Sequence, residues 1–313
     1  MKLLIAYDGS AYADAALEDL RRAGLPRDVE ALIVSVGEGL VNTSSPIAEV
    51  ASPSSLRVTT AMSLAREQAA RLLAEARRFA GRARGRVLSY FPGWKVRTRA
   101  LEGSPARELL QKAEKWGADL IVVGSQGRSA IGRLLLGSVS KKLATEVRSS
   151  VRVARSTVEH AKDAPPRIMI GVDGSTGAEG AVRVVGRRVW REGTEVRIVA
   201  VDDSVSPGTI AHILPTAAEM IRSSNEEAAE KARRMAEWAA NELRAIGLKV
   251  SVANEKGEPQ RVVLEEAGKW NAESIFVGAH GLNRPDEKSG LGSVATGLVT
   301  NAHCTVEIVR WTN

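Results

Sequence analysis

The chain has 313 residues, 44% hydrophobic and 26% charged, with a single cysteine; this excludes wholesale disorder and an internal disulfide and suits two domains of ~150 residues. The opening MKLLIAYDGS lacks the apolar core and cleavage site of a secretory leader, and no run approaches the ~20 apolar residues of a bilayer span, so a cytoplasmic protein without membrane contact is expected. The formal net charge of +7 divides into +10 over residues 1–156 and −3 over 157–313, and the basic run Arg77, Arg78, Arg82, Arg84, Arg86 lacks the interleaved aromatics that stack bases, so a nucleic-acid partner is not expected.

Short apolar runs alternate with amphipathic stretches along the whole chain. LLIAY predicts a strand, Ala11–Ala23 a helix and EALIVSV a second strand. The Ser, Thr and Pro-rich Gly39–Thr60 predicts a long surface loop, followed by a helix over Thr60–Arg82. KVRTRAL, Pro105–Trp116, DLIVVG, Ser138–Val147 and SVRVAR then read strand, helix, strand, helix, strand. After the polar, Pro-terminated STVEHAKDAPP the order repeats: RIMIGV, Gly177–Trp190, EVRIVAV, Met220–Ile246, KVSVANE, Pro259–Trp270, ESIFVG, Ser293–Thr300 and TVEIVR. Strands alternating strictly with helices specify a parallel sheet covered on both faces.

The two passes are copies. Ile5–Ser10 matches Ile170–Ser175, and Gly103–Gly127 matches Gly257–Gly281 with 12 identities in 25 positions, Trp116 and Trp270 among them. Domain one is placed at 1–156, a linker at 157–166 and domain two at 167–313. The fold class expected is α/β: two tandem Rossmann-like domains, each a five-stranded parallel sheet with helices on both faces.

Ligands of such sheets bind beyond the carboxyl ends of the strands. Asp8-Gly9-Ser10 follows the first strand, and by residue type alone an Asx-turn or helix cap explains it. The loop after the fourth strand says more. Gly124, Gly127 and Gly137-Ser138 stand at the spacing G-2x-G-9x-G-S and lead into a helix, with Arg128 and Arg133 beside them. Glycines let backbone N–H groups approach phosphate, a helix N-terminus adds unpaired donors, and the hydroxyls of Ser138 and Ser140 are read as further donors.

The first-strand aspartate, this loop and the closing SVRVAR strand together resemble the universal stress protein family, and both halves carry the pattern. The resemblance implies a tandem protein of adenine-nucleotide α-hydrolase-like domains that binds ATP, with ADP or AMP as alternatives and Mg²⁺ accompanying ATP. It implies contacts from Asp8 near the ribose, from the main chain of Val36 to adenine, and from Gly124, Gly127, Arg128, Gly137, Ser138, Val139 and Ser140 to the phosphates. It also implies last strands paired across a two-fold interface, hence an intrachain pseudo-dimer, with homo-oligomers open and a freed last strand of residues 1–156 expected to pair with its own copy.

Copy two departs from the pattern. Gly281 and Gly292 are separated by ten residues instead of nine, and Asp286 and Glu287 fall between them. The second site is therefore expected to be weakened, leaving domain one competent and domain two its partner in a stress-response regulator. No P-loop lysine or general base stands beside the loop, so an enzyme is not expected and ATP hydrolysis, if present, is slow. The alternative is a nucleotide-independent module acting through protein partners. His280 reads as a loop histidine, Cys304 as a buried apolar residue, and Trp116 and Trp270 as core or capping contacts.

Overall fold

The structure, a computed structural model, describes residues 1–38, 56–128, 136–155, 164–203, 215–282 and 290–311. The strands are β1 (Lys2–Ala6), β2 (Glu30–Gly37), β3 (Lys95–Glu102), β4 (Leu120–Gly124) and β5 (Ser150–Ala154), then β6 (Arg167–Val172), β7 (Glu195–Asp202), β8 (Lys249–Lys256), β9 (Ser274–Gly278) and β10 (Thr305–Val309). The helices are α1 (Ala11–Asp19), α2 (Leu56–Tyr90), α3 (Pro105–Trp116), α4 (Ser138–Glu146), α5 (Thr176–Gly186), α6 (Pro215–Ala245), α7 (Pro259–Lys269) and α8 (Ser293–Asn301).

All ten strands form one sheet in the order β3-β2-β1-β4-β5-β10-β9-β6-β7-β8. Within each half every pairing is parallel; β5 and β10 meet antiparallel in the register Val153↔Val306, Arg152↔Glu307, Val151↔Ile308. The central strands β4 and β9 are buried throughout, as strands covered on both faces must be. The outer strands β3 and β8 are mostly exposed and carry charged side chains at both ends.

Three apolar clusters result. One lies under α1 and α2, a second under α5 and α6, and each belongs to a single half. The third is shared: Leu143, Val151 and Val153 from the first half pack with Leu298, Val306 and Ile308 from the second. Strand alternation explains the division, since Val151 and Val153 point to one face while Arg152 points to the other.

Several helix ends differ from the sequence expectation. The segment expected as helix to Ala23 is α1 followed by a 3-10 turn at Leu20–Arg22. α2 starts at Leu56 and runs to Tyr90, longer than expected at both ends, while residues 39–55 of the expected loop lie outside the described residues. α5 stops at Gly186 instead of Trp190, because the other half competes for the next residues. Arg188 donates to the Ala23 carbonyl at 2.6 Å and the Val189 N–H to that of Gly24 at 2.9 Å. Residues 157–163 of the expected linker, and Ser156 before them, are likewise outside the described residues.

Candidate functional site

The loops after β1 and β4 meet through one carboxylate. Asp8 Oδ1 accepts the Ser10 N–H at 2.9 Å, an Asx-turn, and Oδ2 accepts the Arg128 N–H at 3.2 Å. Ser10 caps α1, its Oγ accepting the Ala13 N–H at 3.1 Å. The local roles that residue type alone suggested are both filled, and Asp8 additionally joins the two loops. An ionised carboxylate has about four acceptor positions, so two remain for a ligand's hydroxyls.

The glycines first serve packing. A side chain at Gly124 would meet the Tyr12 carbonyl group at 2.7 Å, because the first turn of α1 lies directly on the end of β4. At Gly127 it would press on Asp8 Oδ2 at 3.1 Å, and at Gly137 on the Gln126 backbone at 3.2 Å. Gly9 has φ +80° and faces the Phe79 ring of α2.

Helix α4 begins with Gly137 as its N-cap, which has no side chain to offer the N–H groups of Ser138, Val139 and Ser140. These donors and the positive end of the helix point from the carboxyl side of the sheet. Ser140 requires a correction: its hydroxyl is buried and donates to the Gly124 carbonyl at 2.7 Å, so it fastens the loop to β4 and only its backbone N–H is available. Val36 lies two residues past the end of the β1–β2 register at Ala6↔Val34, leaving the β1-side edge of its main chain beyond the last β1 partner, while β3 pairs with it at Leu101.

Two residues of α2 join the site without any motif to announce them. Glu75 holds the Arg128 guanidinium at 3.1 Å, and Phe79 lies beneath the same guanidinium at 5.1 Å. The basic run on α2 is also engaged. Arg82 donates to the Tyr7 hydroxyl at 2.9 Å, and Arg86 pairs with Asp14 at 2.6 Å and Glu18 at 3.0 Å. Burial, and then the Asp14 carboxylate, raise the Tyr7 phenol above its usual range, so it stays a neutral donor to Asp14. Arg133 lies outside the described residues.

The second half repeats the junction: Asp173 accepts from Ser175 at 3.0 Å and from Leu282 at 3.3 Å. Its mouth differs in charge. Where the first half has Gly37, Glu38 and Ser104, the second has Asp202, Asp203 and Glu258. The Asp203 carboxyl is pushed up by burial and then by the Glu258 and Asp202 charges, the mark of crowded like charges. Aligning the two copies at these positions reveals this substitution from sequence. Asp286 and Glu287 lie outside the described residues.

Elsewhere, a hollow of about 420 Å³ opens at the opposite, amino ends of the strands, between Tyr90, Phe91, Trp94 and Trp190, and shares none of the site residues. Among the described residues no group of His, Cys, Asp and Glu is placed to hold a metal, and no helix is long and apolar enough to cross a membrane. Cys304 is fully buried, and Trp116 and Trp270 pack half-buried against the shared core.

An α/β sheet with a Gly-rich loop after the fourth strand, present twice, defines a class that comparison with known proteins makes specific. The universal stress protein family model matches residues 1–155 and 166–310. The chain belongs to that family. A universal stress protein of Mycolicibacterium smegmatis is 28% identical over 313 residues, spanning 98% of this chain and 96% of the relative. One of Thermus aquaticus is 31% identical over 154 residues, 49% of this chain and 97% of its own length. The crystal structure of a universal stress protein from Archaeoglobus fulgidus DSM 4304 shares the fold at a TM-score of 0.62 and 19% identity, covering 99% of this chain and 98% of that one.

Proposed function

We propose that the chain is an adenine-nucleotide-binding regulatory protein whose first half holds the nucleotide and whose second half serves as its structural partner. The observation that carries this reading is the difference between two otherwise matched junctions. Beside Asp8, the uncapped start of α4 and the open edge of Val36, the positions Gly37, Glu38 and Ser104 add one carboxylate, whereas the aligned positions beside Asp173 add three, Asp202, Asp203 and Glu258, of which Asp202 is paired with Lys256 at 3.9 Å. Each added negative charge near a polyphosphate costs on the order of a kcal/mol at a partly solvated dielectric. The residues fit ATP as follows: backbone N–H groups of Ser138, Val139 and Ser140 for phosphate oxygens, Asp8 for ribose hydroxyls and the Val36 main chain for adenine. Arg128 would exchange Glu75 for phosphate. ADP and AMP fit the same donors with fewer contacts, and Mg²⁺ would arrive with ATP. Turnover is expected far below the ~10 per second of an ordinary enzyme.

Calorimetric titration with ATP tests the reading. Gly127→Val drives a side chain into Asp8 and should weaken binding more than ten-fold, while Gly281→Val, which presses on Asp173 in the same way, should leave it nearly unchanged. Equal losses from both, or none from the first, would reverse the assignment. The engagement of Arg128 by Glu75 and of the Ser140 hydroxyl by Gly124 favours the second reading, a nucleotide-independent interaction module. Absence of any binding heat with ATP, ADP and AMP would select it.

A further inference from the structure

The antiparallel register of β5 and β10 places Arg152 opposite Glu307. These two are also equivalent positions of the two copies, since Ser150-Val-Arg-Val-Ala aligns with Thr305-Val-Glu-Ile-Val. The residue on the local two-fold axis is therefore an arginine in one half and a glutamate in the other. Both are buried, at 1% and 0% side-chain exposure, with the Arg152 Nη1 to Glu307 Oε2 distance 3.0 Å.

Each has a second partner from its own half. Arg152 is held by Asp19 of α1 at 2.5 and 3.0 Å, and Glu307 by Arg188. The result is a row of alternating sign, Asp19, Arg152, Glu307, Arg188, running across the axis on the face away from the shared core. Thr305 closes it by donating to Asp19 Oδ1 at 2.8 Å.

Pairing either half with a copy of itself in the same register breaks the alternation. Two first halves would set Arg152 against Arg152, and two second halves Glu307 against Glu307, at a position where both side chains are buried. We propose that this row makes the β5 edge selective for the β10-bearing half, so that the halves recognise each other and reject their own kind. The sequence expectation that a freed β5 edge pairs with its own copy is revised accordingly. Like charges set against each other at a buried contact are a strong bar to the wrong partner.

The flanking contacts are less discriminating. Arg155 donates to the Val299 and Thr300 carbonyls at the end of α8, and Arg310 reciprocally to the Ala144 carbonyl near the end of α4, so the same arginine clamp would form in either homotypic pair. The Arg22–Glu273 bridge also crosses between halves but lies off the axis.

The test starts from the folded full-length chain. A protease site placed between residues 156 and 163 is cut after folding, and unlabelled and ¹⁵N-labelled nicked protein are mixed in mild urea until the labels have scrambled. Native mass spectrometry then counts the pairs. The expected result is that heterotypic pairs exceed homotypic ones by more than about ten-fold over the statistical share. The double variant Arg152→Gln with Glu307→Gln makes the axis self-compatible in every pairing, and should admit both homotypic pairs. Glu307→Gln alone, a milder change, should admit pairs of second halves. Statistical redistribution of the unmodified halves, their dissociation without re-pairing, or exclusive heterotypic pairing by the glutamine variants would overturn the proposal.

Discussion

At the scale of single residues, the site is built from side chains with two duties. Arg128 is the clearest, since its N–H joins the loops through Asp8 while its guanidinium is drawn to Glu75. The exposed bridge contributes little to stability but competes with a phosphate for the cation. Glu75→Gln should thus tighten ATP binding, by up to about five-fold, with little change in melting temperature; unchanged or weaker affinity by calorimetry would remove Arg128 from the phosphate contacts. Cys304 gives a pH-dependent prediction. Burial pushes its thiol up to about 12, against ~8.5 in an unfolded chain. The raised value means that its stabilising share is complete below pH ~8.5 and is lost as pH rises toward 12. Urea denaturation between pH 8 and 10.5 should show a fall in stability that Cys304→Ala flattens, and iodoacetamide should leave Cys304 unmodified until the chain unfolds. Neither Glu75 nor Phe79 was legible in the sequence, because their contact with the loop is made across about fifty residues of chain and nothing in a helical stripe marks which residue faces a distant loop. Asp8 was legible, since its position after an apolar run and before a helix is a local property.

Among the elements, the strands were the most readable, because a run of four or five apolar residues fully buried on both faces has few other fates. Helix ends were less so. α3 begins where Pro105 predicts and ends at Gly117 with φ +67°, both local signals. The end of α5 is set from outside, since the backbone of Val189 and the side chain of Arg188 bond to the other half, and Trp190 then turns back to donate to the Val185 carbonyl at 2.7 Å. The matched helices α1 and α5 are started in the same way, by Ser10 and by Ser175, each accepting an N–H three residues on. Ser10→Ala and Ser175→Ala should each cost ~1 kcal/mol in urea denaturation. Only the first should also weaken ATP binding, because only the first helix borders the loop assigned to the nucleotide; equal effects on binding would place a ligand in both halves.

For the whole molecule, the duplication was legible from the matched glycine blocks, and the parallel pairing within each half from the strict alternation of strands and helices, whereas the order of the strands is given by the structure. The charge pattern on the axis was present in the sequence as SVRVA against TVEIV, yet it acquires meaning only from the register, which decides that position 152 meets position 307 and no neighbour. The acidic mouth of the second half is similar: Asp202, Asp203 and Glu258 belong to two segments more than fifty residues apart, and the sheet brings them to one end.

The joining of β5 to β10 has a last consequence for the rims of the sheet. The inner edges are spent on each other, so the backbone groups still open to a foreign strand lie along β3 and β8. Those strands present Lys95, Arg97, Arg99 and Glu102 on one rim and Lys249, Glu255 and Lys256 on the other, all exposed. An incoming strand would have to strip water from these ions to gain each hydrogen bond, which is how natural sheets keep their borders from seeding fibrils. Open in topology, the ten strands are closed to growth.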